Sequence, residues 1–482
     1  MSVRLRPLVP ITALCAAALL ASACDGGDKA RYDVLLVGNP DEAGSEAVPL
    51  PSAGALLREA TASGIVALDA EGRIQPDLAA RWIVTDDGLS YIFRFEDFET
   101  DDDKALTAVD VRRVLRERIR KLRGTALGLD LSVIDGIYAR TDEVIEIRLK
   151  TAMPEFLQLL AAPEMALTFK DHETGALTLS GKGPVLTLTR PEQQGLPAAE
   201  LAVQVSPAAE AVRRFQDGQA ELLLGGDLDA LPHVEKGGLL RGTIRLDPVA
   251  GMFGLAISRE EGFLSLAANR EALSMAIDRP ALIGPFGIGG WEPRARLVPT
   301  GPLGTVQPSD LWNAYTIEQR QATAAQRVRA WAATRGAIEP ITIALPPGTG
   351  GDILMRRLSD DFGTIGIALK RVGPADKAQL RLVEQVAWMD RPEWYLHRYD
   401  CTVTKAVCDP EADLLVAQAV AEPDPAVRAG LLSEAQAKLT AEHVFISFGA
   451  PIRFSLVRGG VDGFAVNRWG FHPLSQLFAD PI

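Results

Sequence analysis

Side chains suited to binding a solute are concentrated in one stretch of the chain, VAWMDRPEWYLHRY. Aromatic rings supply apolar contact area in a ligand pocket, and a few charged groups orient the ligand. The same pattern also fits tryptophans in a hydrophobic core beside a surface ion pair, so both interpretations stay open at this point. The candidate ligand-binding residues of the stretch are Trp388, Asp390, Arg391, Trp394 and Tyr395.

The chain lacks the motifs that carry catalysis or metal binding. Neither G-x-S-x-G nor H-E-x-x-H occurs, and the glycine-rich PPGTGGDILMRRL lacks the Gly-Lys-Ser/Thr ending of a phosphate loop. The acidic stretch EDFETDDDK lacks the ligand register of a calcium loop. The histidines are scattered, at His172, His233, His397, His443 and His472. We therefore expect a protein that is not an enzyme and that has no cofactor and no metal site.

The charge balance restricts the class of partner. The 482 residues include 63 acidic and 50 basic side chains, which gives a net charge of −13. Nucleic-acid binding needs a basic surface that neutralises phosphates, so this balance argues against it. It places no such restriction on a small solute.

The first 24 residues have the features of an export signal. Arg4 and Arg6 precede an apolar run from Leu8 to Leu20, which is shorter than the roughly 20 residues that span a bilayer. The small residues that follow lead to Cys24, and the pattern resembles a bacterial lipoprotein signal. That resemblance implies a diacylglycerol on Cys24, with ordinary secretion and a retained helix as the alternatives. In enterobacterial lipoproteins an Asp after the Cys, as here, favours retention on the inner membrane.

The remaining cysteines form an even pair. Cys15 would leave with the signal and Cys24 would be lipidated, which leaves Cys401 and Cys408 in an oxidising compartment. We expect a disulfide between them. Two free thiols, or half of a metal site, are the alternatives, but no His or further Cys is spaced nearby to complete a zinc tetrahedron.

Predicted strands and helices alternate along the chain without a fixed period, which favours an α/β fold over a repeat protein. RYDVLLVGNP predicts a buried strand, and PDLAARW is predicted to be a short helix. GLSYIFRFEDFE alternates in period 2, typical of a half-buried strand. LTAVDVRRVLRERIRKLRG predicts a helix capped by Thr107 and ended by Gly124. Its basic run favours a solvated face, with a docking surface for a permease or for lipid headgroups as the alternative.

Five segments of the chain together resemble one family. It comprises the extracellular solute-binding proteins of ABC importers of the oligopeptide, dipeptide and nickel type, called family 5. The five segments follow one another in the family's order and cover nearly all of the chain after the signal. They are LDAEGRIQPDLAARWIVTDDGLSYIFRF, ALTAVDV, AVRRFQDGQAELLLG, NREALSMAIDRPAL and DPAVRAGLLSEAQAKLTAEHVFISF.

The resemblance implies a two-lobe periplasmic-binding-protein fold with a hinge, in which the first lobe is split by an inserted subdomain. It implies a signal peptide at 1–23, a tether at 24–30, the first lobe at 31–64 and 179–262, the inserted subdomain at 65–178, the second lobe at 263–455, and a return to the first lobe at 456–482.

The sequence also departs from the family pattern. Ile257 and Ser258 stand where the family usually has an Asn. In the family's peptide binders an Asp shortly after a Trp holds the amine of the ligand. Here Trp388 and Asp390 are the matching pair, spaced one residue closer and without the Asp-Pro that follows in the family.

We therefore expect a receptor of an ABC importer that captures a short peptide or peptide-like compound between two lobes. The expected partners are that solute, a permease in the inner membrane, and the membrane itself through the lipid anchor, with no nucleic acid. The expected state is a periplasmic, lipid-anchored monomer. The alternative is a scaffolding lipoprotein that retains the fold without a ligand.

Overall fold

The computed structural model describes residues 30–95, 106–169, 174–181, 183–192, 198–235, 242–299, 312, 314–404 and 406–477. The predicted signal peptide at 1–23 and Cys24 lie outside the described residues, as does the tether up to residue 29.

The described residues alternate between strands and helices, as expected for an α/β fold. The strands are β1 Ala30–Val37, β2 Val66–Leu68, β3 Ile74–Pro76, β4 Ala79–Val84, β5 Ser90–Phe95, β6 Ile134–Ala139, β7 Val144–Leu149, β8 Thr178–Ser180, β9 Val185–Arg190, β10 Ala199–Ser206, β11 Leu222–Gly226, β12 Ile244–Leu246, β13 Gly251–Ile257, β14 Ile341–Ala344, β15 Leu369–Val372, β16 Leu380–Val386, β17 Phe445–Gly449 and β18 Phe454–Val457. The helices are α1 Ser52–Thr61, α2 Ala108–Lys121, α3 Ala126–Asp130, α4 Phe156–Leu160, α5 Ala208–Gln216, α6 Ala267–Ala276, α7 Arg279–Ile283, α8 Ile317–Arg335, α9 Thr349–Thr364, α10 Pro392–Leu396, α11 Pro410–Ala421 and α12 Pro425–Ala441.

A seven-stranded sheet in the order β12-β18-β11-β1-β10-β9-β8 forms the first lobe. The apolar run in β1 becomes a central strand, parallel to both β10 and β11, because its Val34 and Leu36 are buried against neighbours. Strand β18 comes from near the C-terminus and pairs antiparallel with β11, so the chain returns to this sheet at its end.

A five-stranded sheet in the order β15-β14-β16-β13-β17 forms the second lobe. Strand β13 lies before the expected start of that lobe at 263, yet it pairs along its whole length with β16. Six of its seven residues are buried between β16 and β17, which explains why it belongs to this sheet. Strand β18 begins at Phe454, two residues before the expected return at 456.

A four-stranded sheet in the order β4-β5-β7-β6, with α2 packed on it, forms the inserted subdomain. The prediction of a helix in PDLAARW is wrong, because Ala79–Val84 pairs antiparallel with β5 and the pairing overrides the helix-forming Ala and Arg residues. The predicted cap of α2 is confirmed, since Thr107 Oγ1 accepts a hydrogen bond from the Asp110 backbone N–H at 3.3 Å.

Candidate ligand-binding cavity

A cavity of about 770 Å³, which we call the interlobe cavity, is lined by residues of both lobes and of the inserted subdomain. Its volume is typical of small-molecule pockets. The first lobe and its C-terminal return contribute residues 45, 47–52, 55, 453 and 469–471, and the inserted subdomain contributes 125–127, 130, 159, 162 and 164. The second lobe contributes 252, 256, 383–386, 388, 394, 398, 399, 403 and 404.

Aromatic rings from two distant segments form one wall of this cavity. Trp388 follows β16 and lies parallel to Trp469, with ring centroids 6.5 Å apart. Phe471 meets Trp388 edge-on at 5.4 Å. Asn467 fixes the segment that carries Trp469 and Phe471. Its side chain accepts a hydrogen bond from the Trp469 backbone N–H and donates one to the Phe471 backbone carbonyl. This wall therefore joins the second lobe to the C-terminal return.

A second aromatic group lies on the second lobe. Trp394 is buried in α10, and the guanidinium of Arg398 lies 3.4 Å from the centroid of its ring. The same guanidinium donates a hydrogen bond to Gln385 Oε1 at 3.2 Å. Burial lowers the pKa of Arg398 to about 10, against the opposing effect of Asp130.

The acidic groups that line the cavity have protein partners. Asp130 Oδ1 lies 2.7 Å from His397 Nδ1, and its other oxygen lies 3.8 Å from Arg398. Glu384 is paired with Arg453. Burial raises the pKa of Glu384, and the nearby Arg453 opposes that shift. Most of the acidic charge that lines the cavity is therefore compensated inside the protein.

Strand β16 offers unpaired backbone to this cavity. It pairs with β13 from Leu380 to Val386, but with β14 only at Leu380 and Arg381, within the described residues. Residues 383–386, which line the cavity, are therefore without a strand partner on one side. Such an edge can accept an extended peptide through main-chain hydrogen bonds.

Two of the five predicted ligand-binding residues, Trp388 and Trp394, are among the residues that line the interlobe cavity. The described lining residues do not include Asp390, Arg391 or Tyr395. These three residues have other environments in the structure.

Asp390 forms an ion pair with Arg468 at 3.0 Å, and Arg391 lies 3.4 Å from Glu155. Tyr395 is 1% exposed, its hydroxyl has no hydrogen-bond partner among the described residues, and burial raises its pKa.

Residues that the sequence reasoning missed come from segments without a recognisable motif. Trp469 and Phe471 lie in the stretch NRWGFHP, where the aromatic residues beside a cation were a usable signal. Asp130, Glu384 and Arg453 gave no such signal, because only the folded chain brings them to the cavity.

Cys401 and Cys408 lie at disulfide distance, with Cα atoms 5.3 Å apart. Among the described residues, no group of three or more His, Cys, Asp and Glu is placed to hold a metal ion. None of the helices in the described ranges has the length and apolar character that crossing a membrane requires.

Comparison with protein families gives one match, to the bacterial extracellular solute-binding proteins, family 5 Middle, over residues 73–326. This match covers just over half of the chain. A search of curated proteins finds no match.

Comparison with solved structures finds the same fold at low sequence identity. The Escherichia coli murein tripeptide binding protein MppA superposes with a TM-score of 0.80 at 16% identity, covering 94% of this chain and 99% of MppA. OppA of Haemophilus influenzae, in complex with RPPGFSPFR, gives 0.79 at 15% identity, covering 94% of this chain and 99% of that chain. The unliganded open form of MppA gives only 0.60, at 16% identity and 94% and 98% coverage.

Proposed function

Since the chain belongs to family 5 of the bacterial extracellular solute-binding proteins, which are binding receptors and not enzymes, we propose that it captures a short peptide or peptide-like compound between its lobes and delivers it to the permease of an ABC importer. The observation that carries this proposal is the interlobe cavity of about 770 Å³, to which both lobes and the inserted subdomain contribute. A ligand held there contacts both lobes and therefore stabilises their closed arrangement.

The lining of the cavity favours a peptide over an apolar solute. The free edge of β16 at 383–386 supplies main-chain donors and acceptors, which suit an extended peptide backbone. Trp388 and Trp394 supply apolar area for side chains, and Arg398 and Glu384 supply charges of opposite sign. Asp390, Arg391 and Tyr395 remain sequence-based predictions only, because they are not among the described residues that line this cavity.

The arrangement of the chain in the envelope forms part of the same proposal. Cys24 carries a diacylglycerol after removal of 1–23, which tethers a monomer to the periplasmic face of the inner membrane through residues 24–30. Intact-mass measurement of wild-type protein and of Cys24→Ser tests this, because only the wild type would carry the lipid mass. An unmodified N-terminal residue on the wild type contradicts it.

The division into lobes and the disulfide complete the proposal. The first lobe comprises 31–64, 179–250 and 453–482, the inserted subdomain 65–178 and the second lobe 251–452. The expected boundaries at 263 and 456 are thus moved so that β13 and β18 each stay with their own sheet. Cys401 and Cys408 are joined in the mature protein. Thiol labelling of unfolded, unreduced protein should find neither cysteine, and detection of two free thiols refutes the bond.

Ligand capture is tested by thermal shift with protein stripped of ligand by unfolding and refolding. The panel contains di- to pentapeptides, metallophores and oligosaccharides. A ligand at a hundredfold excess over Kd stabilises the folded state by about 2.7 kcal/mol. In a chain of this length, each kcal/mol raises the melting temperature by roughly 2 °C or less, so the expected shift is several degrees.

A variant of the aromatic wall tests whether the ligand binds in the interlobe cavity. Trp388→Ala should reduce the shift for the peptide that stabilises the wild type most. If no compound raises the melting temperature, and scattering gives one rigid shape in cell extract and in buffer, the ligand-free scaffold replaces the receptor.

A further inference from the structure

A second cavity, of about 280 Å³, lies within the first lobe and its inserted subdomain, and we call it the first-lobe cavity. Its walls come from α1, β3, the end of β9, the chain before β8 and the C-terminal return. It borders the interlobe cavity, because Ala162 and Phe471 line both. The second lobe contributes none of its described lining residues.

Two carboxyl-bearing residues line this cavity. Glu59 accepts hydrogen bonds from the Leu474 backbone N–H at 3.0 Å and from the Ser475 hydroxyl. Asp77 accepts one from the Gly64 backbone N–H at 2.7 Å. Burial raises the pKa of Glu59 to about 7 and that of Asp77 to about 6, and the charge of Asp77 adds to the shift of Glu59. Asp77 is therefore close enough to act on Glu59, and neither acid is paired with a cation among the described residues that line the cavity.

One guanidinium group lines the same cavity. Arg190 is 5% exposed, and its Nη1 donates a hydrogen bond to the Ser475 carbonyl at 3.2 Å. Its Nε and Nη2 have no hydrogen-bond partner among the described residues. Burial lowers its pKa. Leaving the donors of a buried charge unpaired costs free energy of folding. A ligand that accepts hydrogen bonds from Arg190 would remove that cost.

Glu59, Asp77 and Arg190 are the charged residues among the described lining residues, and the acids do not pair with the arginine. A molecule that carries both an ammonium and a carboxylate would complement both sides at once. The volume suits a molecule of amino-acid size.

We infer that the first-lobe cavity is a second binding site, for a free zwitterionic amino acid, with its ammonium between Glu59 and Asp77 and its carboxylate toward Arg190. Its occupant is separate from a peptide in the interlobe cavity, and the inference does not depend on the proposed peptide capture.

Calorimetry on ligand-stripped protein at pH 7.5 tests this site with glycine, L-alanine, L-leucine and L-lysine as separate probes. We expect at least one of them to bind in a 1:1 ratio. Propionate and propylamine each carry one of the two charges and should bind at least tenfold more weakly. Absence of binding by all four amino acids at millimolar concentration overturns the inference, as does equal binding of the single-charge probes.

Variants locate the site. Arg190→Gln and Asp77→Asn should each weaken amino-acid binding at least tenfold. Glu384→Gln, which removes a charge of the interlobe cavity and does not touch the described lining of the first-lobe cavity, should leave it unchanged. A melting curve for each variant shows whether it folds, and Asp77→Asn decides the matter if Arg190→Gln does not. Unchanged binding in folded Asp77→Asn contradicts the inference, and loss of binding in folded Glu384→Gln places the amino acid in the interlobe cavity instead.

A pH readout separates a direct role of the acids from a structural one. An ammonium between Glu59 and Asp77 favours their ionised forms, so binding at pH 6.5 should release protons, and affinity should fall as the pH is lowered to 5. Calorimetry in two buffers of different ionisation enthalpy measures this release. Binding without proton release contradicts the placement of the ammonium.

Discussion

The two cavities differ in how their charged side chains are partnered. In the interlobe cavity, Asp130 contacts His397 and Glu384 contacts Arg453. Among the described residues of the first-lobe cavity, Glu59 and Asp77 do not pair with Arg190, whose Nε and Nη2 have no hydrogen-bond partner there. Charge is thus compensated by protein in the larger cavity and left uncompensated in the smaller one.

The difference shows which interactions depend on lobe closure. Asp130 belongs to the inserted subdomain and His397 to the second lobe, so their contact exists only when these parts meet. Thr151 likewise donates a hydrogen bond to the Val420 carbonyl at 2.9 Å across the same boundary. The charges of the first-lobe cavity lie within one lobe and its insertion, so opening the lobes leaves them in place.

The largest effect is expected from Asp130→Ala. The variant leaves His397 and Arg398 buried without their carboxylate, and breaking a buried pair in this way costs about 3 kcal/mol. We expect the melting temperature to fall by several degrees and the radius of gyration without ligand to increase, measured by calorimetry and solution scattering. Asp135→Ala, an exposed acid of the same subdomain, is the matched control. If the two variants melt and scatter alike, Asp130 does not hold the lobes together.

The next largest effect is expected in the pH dependence of stability, from Glu59 of the first-lobe cavity. The pKa of Glu59 is about 7 in the folded protein, against an ordinary value of 4.5. Between pH 4.5 and pH 7 the folded protein therefore binds more protons than the unfolded chain. The free energy of unfolding therefore falls as the pH rises from about 4.5 to about 7, by about 2 kcal/mol.

Glu59→Gln should remove that part of the pH dependence. Urea midpoints at pH 5 and pH 7.5 measure it, and Glu71→Gln, at an exposed position, serves as the control. Identical pH dependence in wild type and Glu59→Gln would show that Glu59 titrates normally.

A smaller effect is expected from Trp388→Ala. Removal of this ring takes away the stacked contact with Trp469 and the edge-on contact with Phe471, and we expect about tenfold weaker peptide binding, or about 1.4 kcal/mol. The peptide is the one that raises the wild-type melting temperature most, and calorimetry measures its Kd. Trp331→Ala, outside both cavities, is the control. Equal Kd values for the two variants would remove Trp388 from the ligand site.

The sequence predicted local features well and contacts between distant segments poorly. The cap at Thr107 and the strand β1 depend on neighbouring residues, and both are present as predicted. The error at Ala79–Val84 arose because pairing with β5 decides its conformation. Trp388 was found because it lies in an aromatic cluster, whereas Asp130 acquires its role only through a residue of the other lobe.

The smallest effect is expected from Asp390→Ala, although Asp390 is the residue that the sequence predicts to bind the amine of the ligand. Its pair with Arg468 is exposed, at 41% and 53% of the two side chains, and such pairs contribute roughly 0.5 kcal/mol or less. We expect the melting temperature to stay within about 1 °C of the wild type. Because Asp390 is not among the described residues that line the interlobe cavity, we expect its loss to change the Kd of a peptide with a free amine by less than about twofold relative to the N-acetylated peptide. A tenfold loss confined to the free amine would place Asp390 in the ligand site and show that Arg468 releases it when the peptide binds.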